Sequence, residues 1–316
     1  MKRGLIVLIA IGALALVSAS VAQVVFEEEP FLNARKNERS PALDVDGATA
    51  DVLAFTRSRT GDPNRYDAWA QEGSAAAFKL NAAGQGWTGG IDYPMVSYQQ
   101  IVGGQSDIYF YDLLTDQRSP APINSSKWEW RPSVSGTMDD YHLLFGRDNT
   151  NNPTQRVLLH HHSDVAHEST LLAEVTRATH YLQPDQLNGD FATFTKCTPN
   201  CNVFRRDVLA GTTMKLAKPV ANRPRQQYAG AVNPEGVVFV VRSGPRCGEK
   251  VKILRYDVEN PSDPTYGSLL VALPAGFDIA TAFARANNNG SVTLVYDRVN
   301  CSTGRFDVYK LEVPAI

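Results

Sequence analysis

A chain of 316 residues with 31 Lys and Arg against 33 Asp and Glu carries a net charge of −2. That near balance gives nucleic acid and anionic membranes nothing to grip and excludes both as expected partners. Apolar residues make up 43% and no second long apolar run follows Val17, so most of the chain reads as a soluble folded domain.

The first predicted element is a secretory signal peptide over residues 1–22. Lys2 and Arg3 give the positive start, Leu5 to Val17 the apolar run, and Ser20-Val21-Ala22 the small residues of a cleavage site before Gln23. The run is too short for a bilayer, which takes about 20 apolar residues. No cysteine follows the site, so a lipid anchor is not expected. Without Lys2 and Arg3 the remainder has 29 basic and 33 acidic residues, a net charge of −4. The expected product is secreted or periplasmic, monomeric and free of membrane insertion.

A recurrent unit then runs along residues 23–316. It has a Pro-containing start, a turn rich in Gly, Asn or Asp, a short apolar strand, a polar loop and further strands. The first repeat contains Ser40-Pro41, Asp46-Gly47 and the strand Val52-Leu53-Ala54-Phe55. The second contains Tyr93-Pro94 and Asp107-Ile108-Tyr109-Phe110-Tyr111. Gly86-Trp87-Thr88-Gly89-Gly90, which superficially resembles a nucleophile elbow with Thr in place of Ser, is expected to be a loop between repeats. The third repeat holds Trp128-Glu129-Trp130-Arg131-Pro132-Ser133-Val134-Ser135-Gly136, then His142-Leu143-Leu144-Phe145 and Arg156-Val157-Leu158-Leu159. Glu168 to Arg177 reads as its outer strand. The fourth has Gln183-Pro184, Asn188-Gly189, Phe191 to Phe194 and Asn202-Val203-Phe204. The fifth has Asn233-Pro234-Glu235-Gly236, Val237 to Val241 and Val251 to Leu254. The sixth has Asn289-Gly290, Val292 to Tyr296 and Phe306 to Tyr309.

These segments are rich in β-branched and aromatic residues, alternate or run apolar, and are bounded by turn formers. No stretch of helical period reaches a dozen residues with caps at both ends. Short strands at this spacing indicate an all-β, six-bladed β-propeller with four-stranded antiparallel blades. The blades span about 36–90, 91–127, 128–178, 179–222, 223–276, and 277–316 together with 23–35. The last repeat is one strand short. The N-terminal segment, with Val24-Val25-Phe26, is expected to supply that strand and close the ring.

The Trp128–Gly136 phrase followed by a Leu-Leu-Phe strand resembles the repeat of the TolB-like β-propellers, whose blades open with a W-x-P-x-W-S-P-D-G type phrase. Asn233-Pro234-Glu235-Gly236 is similar to its S-P-D-G turn. Asp107 to Asp112 is similar to its D-I-Y-V-M-D strand. The resemblance implies the fold over residues 36–316 and is degenerate in blades one, two and six. The N-terminal α/β domain of TolB has no counterpart, so its partners are not implied.

Four cysteines in an exported chain predict two disulfides. Cys197 and Cys201 flank the turn Thr198-Pro199-Asn200, which favours a local bridge and leaves Cys247 to pair with Cys301.

Propellers bind ligands where innermost strands converge. The residues expected at the channel mouth are Ser40, Tyr93, Arg131, Gln183, Tyr228 and Asp278, flanked by Trp128 and Trp130. The alternative role for this set is to cap strands. His160 and His162, alternate residues of one strand, are weak metal candidates, read instead as a polar hairpin at an exposed edge. Asp44, Asp46 and Asp51 lack the Glu that a calcium loop needs and read as a repeat turn. Asp139-Asp140 reads as a solvated turn. No cofactor is expected. The leading expectation is an exported non-enzymatic binding module that offers a disc face to a protein or glycan. The alternative is a channel-centred enzyme: a hydrolase or lyase acting on a glycan, or a metal-assisted hydrolase.

Overall fold

The computed structural model describes residues 29–32, 37–46, 50–148, 156–176, 180–216, 226–257 and 267–315. The signal-peptide segment and Val24-Val25-Phe26 lie outside them. Six four-stranded antiparallel sheets form a six-bladed propeller. The innermost strands are Glu38–Val45, Gln85–Asp92, Trp128–Thr137, Tyr181–Asn188, Gln226–Val232 and Phe277–Ala286. Blade six is completed from the N-terminal side. Glu29 pairs with Lys310 and Pro30 with Tyr309 on the strand Phe306–Val313. Proline lacks an N–H to donate and suits such an edge.

Burial is greatest in the second strand of each blade and decreases from there outward. The second strand of blade five, Val238–Ser243, is buried at every position because sheets pack on both of its faces. The third strand of blade two, Gln105–Asp112, alternates buried and half-buried residues. The outer strand of blade three, Glu168–Thr176, is largely exposed. Apolar clusters therefore sit between neighbouring blades. One such cluster joins Leu144, Leu159, Leu182 and Phe194 of blades three and four.

Two expectations are corrected. Gly86–Gly90 is no loop between blades. It lies in Gln85–Asp92, the innermost strand of blade two, paired with Met95–Val102. Close packing requires these glycines. A Cβ on Gly89 would come within 1.9 Å of the Pro132 carbonyl oxygen, and one on Gly90 within 2.9 Å of Ser133 Oγ. Tyr93-Pro94 is not the start of blade two but the tight turn between its first two strands.

Blades one, three and five share a finer repeat. Glu38 pairs with Arg57, Glu129 with Arg147, and Gln227 with Arg242 across the first two strands. Arg57 and Arg147 each donate through Nε to the buried glutamate at 2.7 Å. Two residues after each Glu or Gln, the chain takes a left-handed φ at Ser40 (52°), Arg131 (46°) and Ala229 (49°).

The upper face carries the starts of the innermost strands and the turns between second and third strands. The lower face carries the turns from first to second and from third to outer strands.

Candidate functional site

Each innermost strand contains one bulge: at Ser40-Pro41, Gly89-Gly90, Arg131-Pro132, Asp185, Ala229-Gly230 and Ala280-Thr281. A bulge removes backbone groups from the ladder. Leaving a buried donor without an acceptor costs about 1–3 kcal/mol. At or beside these bulges, a polar side chain of the preceding blade supplies the acceptor. Asp297 of blade six accepts from the Ser40 N–H of blade one at 3.1 Å. Thr56 accepts from Thr88 N–H at 2.8 Å, and Gln99 from Arg131 N–H at 3.4 Å. Ser133 accepts from Leu187 N–H at 2.8 Å, and Asp185 from Gly230 N–H at 3.1 Å.

The junction between blades five and six is built differently. The Tyr228 hydroxyl donates to Asp278, and Gly248 N–H donates to the same carboxylate at 3.3 Å. Cys247 is bonded to Cys301 across this junction, and Cys197 to Cys201 within blade four, as the sequence predicts. Burial, then the Asp278 charge, pushes the Tyr228 hydroxyl well above the usual tyrosine range.

Within the channel the bulges of blades one, two, three, four and six line a cavity of about 40 Å³, with Ser40, Thr88, Arg131, Gln183, Asp185 and Thr281 among its walls. One water needs roughly 10–15 Å³ of such space, so this room suits a few waters rather than a sugar or peptide. Asp185 is half-buried here. Its carboxylate accepts from Thr195 Oγ1 at 2.7 Å, Gly230 N–H at 3.1 Å and Gln183 Nε2 at 3.2 Å. Burial raises it to about 7 against those donors and the Arg131 charge. The Arg131 guanidinium makes no hydrogen bond among the described residues and is half-buried. Above it, Tyr181 is 47% exposed and donates its hydroxyl to Gln183.

Gln186 shuts the wall below. Its Nε2 donates to the Ala284 carbonyl at 2.8 Å, and its Oε1 accepts from Val232 N–H at 3.0 Å and Ala284 N–H at 2.9 Å, which joins blades four, five and six. The lower mouth is wider, at about 300 Å³, and is likewise cross-linked. Asp44 accepts from Tyr93 N–H at 2.6 Å and Asp92 from Gly136 N–H at 2.7 Å. Arg285 donates to the Asp44 carbonyl at 3.2 Å and to Asp51 at 2.7 Å, and Asp46 accepts from Ala50 N–H at 3.0 Å, so all three aspartates of the candidate calcium turn are engaged. Burial pushes the Asp44 carboxyl up.

Ser40, Arg131 and Gln183 thus line one cavity, whereas the other predicted residues do not join them. Tyr93 sits at the lower face, and Tyr228 and Asp278 engage each other at the five–six junction. Trp128 donates its indole N–H to the Gly104 carbonyl at 2.8 Å. Trp130 packs against Gly146 and the core between blades three and four. Asp185, Thr281 and Asp297 were not singled out by the sequence. In blade four, proline points to the residue before it, Gln183, whereas the bulge also turns the residue after Pro184 into the channel wall. Asp297 lies on a second strand with no signal beyond its charge.

The histidine expectation is corrected. His160, His161 and His162 do not form an exposed hairpin but lie within the third strand of blade three, Arg156–Ser163, between two neighbours. His160 stacks on Phe145 at 5.4 Å, His161 Nε2 lies 3.0 Å from His142 Nδ1, and His162 Nδ1 lies 3.0 Å from Ser169 Oγ. Burial holds His160 and His161 down at about 4, aided by Arg147 on the first and His142 on the second. Among the described residues, Cys247, Asp278 and Cys301 bring three potential metal-ligand atoms within 4.8 Å, but the two sulfurs are bonded to each other.

The sequence matches no protein-family model and no curated protein. Solved structures share the fold at low identity. A Dyadobacter fermentans protein of unknown function aligns with a TM-score of 0.59 and 12% identity, over 92% of this chain and 98% of that one. A putative TolB from Agrobacterium tumefaciens aligns at 0.52 and 12%, over 90% and 93%. An α-L-arabinofuranosidase from Fusarium graminearum aligns at 0.53 and 11%, over 92% and 97%. The fold is therefore shared by proteins of different activities.

Proposed function

We propose that this chain is an exported, TolB-like, non-catalytic binding module that receives a protein or glycan partner on its upper face, over Arg131 and Tyr181. Removal of residues 1–22 would deliver it to the periplasm or the exterior, and the two disulfides accord with that compartment. The observation that carries the reading is the state of the channel. Its carboxylates are occupied by donors from the ring itself, and the cavity around Asp185 is too small for a saccharide. Beside the exposed Tyr181 stands the half-buried Arg131 guanidinium, which makes no hydrogen bond among the described residues, the kind of pair that recognition surfaces use as an anchor.

One observation favours the enzymatic alternative. A carboxyl raised to about 7 beside a guanidinium is what a general acid needs. The two readings part under one experiment. The purified protein is incubated with pectic and arabinan oligosaccharides, with and without manganese, and products are followed by mass spectrometry. Binding without turnover, lost in Arg131→Ala, supports the module. Turnover abolished by Asp185→Asn would replace it with the enzyme.

A further inference from the structure

Blades two, three and four repeat one four-residue turn between their third and outer strands: Leu113–Asp116, Asp164–His167 and Val208–Gly211. The fourth residue of each takes a left-handed φ, at Asp116 (56°), His167 (51°) and Gly211 (67°). The second residue is aliphatic and stands in solvent: Leu114 at 69% exposure, Val165 at 66% and Leu209 at 74%. Hydrogen bonds fix the turns. Asp112 accepts from Leu114 N–H at 2.9 Å, Asp207 from Ala210 N–H at 2.7 Å, and the Asp164 carbonyl from His167 N–H at 3.0 Å. Equivalent positions of successive blades project from the same face, so the three tips form an arc along the lower rim. Single exposed aliphatics are ordinary, but these three recur at matching positions of successive blades along one rim. The corresponding stretch of blade one, Gly73–Ala77, offers only serine and alanines.

The charge around the tips is acidic. Asp116, Asp139, Asp140 and Asp190 are all exposed on this face of the same three blades. Arg118 folds its guanidinium back onto the Lys79 and Leu80 carbonyls, and Arg206 onto Thr213 Oγ1 at 3.0 Å. Anionic lipid headgroups and nucleic acid are repelled by such a field, and a second copy would set the same acids against each other. A polypeptide that carries Lys or Arg beside aliphatic side chains matches both features.

We propose that this arc is a docking surface for a basic, aliphatic-bearing protein segment. It lies on the opposite face from Arg131 and Tyr181, and it stands whether or not the upper-face reading does. The probe is a labelled amphipathic peptide of Lys and Leu, with a Glu and Leu peptide of the same pattern as its counterpart. Both are titrated against the full chain by fluorescence anisotropy at low and high salt. The Lys peptide is expected to bind in a salt-sensitive way and the Glu peptide not at all. Leu114→Ser, Val165→Ser and Leu209→Ser combined should weaken binding roughly tenfold or more, as should Asn at the four aspartates. Arg131→Ala should leave it unchanged, which separates this surface from the upper one. Equal binding by the triple variant, no binding of the Lys peptide, or tip-dependent binding to phosphatidylglycerol vesicles would overturn the proposal. Tip-dependent self-association in sedimentation would do the same.

Discussion

Five junctions between blades are stitched by one device and the sixth by another. From blade six to one and onward to five, a polar side chain of one blade accepts a backbone N–H at or beside the next blade's bulge. Between blades five and six, no such acceptor is seen among the described residues. The Cys247–Cys301 bond, Tyr228 and Asp278 stand there instead. The difference teaches what the channel's polar groups are for. Where a covalent tie is present the ring closes without a stitch at the bulge, and at the other junctions the side chains that could have done chemistry hold blades together.

The largest expected effect is at Asp297. Its buried carboxylate accepts from Ser40, Ala280 and Thr281 N–H groups and the Thr281 hydroxyl. Asp297→Ala leaves four donors without their acceptor and should cost roughly 3–5 kcal/mol in urea unfolding. Breaking the covalent junction by Cys247→Ser with Cys301→Ser comes next, at about 2–4 kcal/mol. If the double variant lost nothing, the contrast between junctions would dissolve.

Some of this was legible in the sequence. The fully apolar run Val238-Phe239-Val240-Val241, the Asn233–Gly236 turn and the cysteine spacings marked blades and bridges directly, because burial and turn chemistry are local properties. The first strand of blade two was not legible. Gly86 to Gly90 reads as a loop until the backbone of blade three is seen pressed against it. Three consecutive histidines read as polar until their stacking on Phe145 and His142 is known. The channel site was half legible, since proline marked the bulges of blades one, three and four but the bulge decided which neighbour faced inward.

Blade three should also lose stability in acid. His160 and His161 titrate near 4 in the folded chain and near 6.5 unfolded, so the unfolded state binds more protons between those values. Their contribution is whole above about pH 6.5 and is lost as pH falls toward 4, at roughly 1–3 kcal/mol for each after screening. Neither ring nitrogen of His160 has a hydrogen-bond partner among the described residues. His160→Phe should therefore reduce the acid sensitivity and raise neutral stability by about 1 kcal/mol in the same titration.

Asp185 gives the smallest effect and the opposite sign. Its folded value of about 7 lies above the unfolded 3.8, so ionisation opposes folding. Its own contribution to stability is greatest below about pH 4 and declines as pH rises to 7, by about 1–2 kcal/mol after screening. Asp185→Asn should flatten that slope in thermal scans across the range.

Residue-resolved hydrogen exchange of the native chain tests the stitching most directly. The N–H groups of Ser40, Thr88, Leu187 and Gly230, all at or beside bulges, should be protected like those of the core strands, and Thr56→Val should release Thr88 alone. Exchange of these amides at the rate of open loops would mean that the side chains opposite them are free. The channel would then be equipped for a substrate rather than committed to closing the ring.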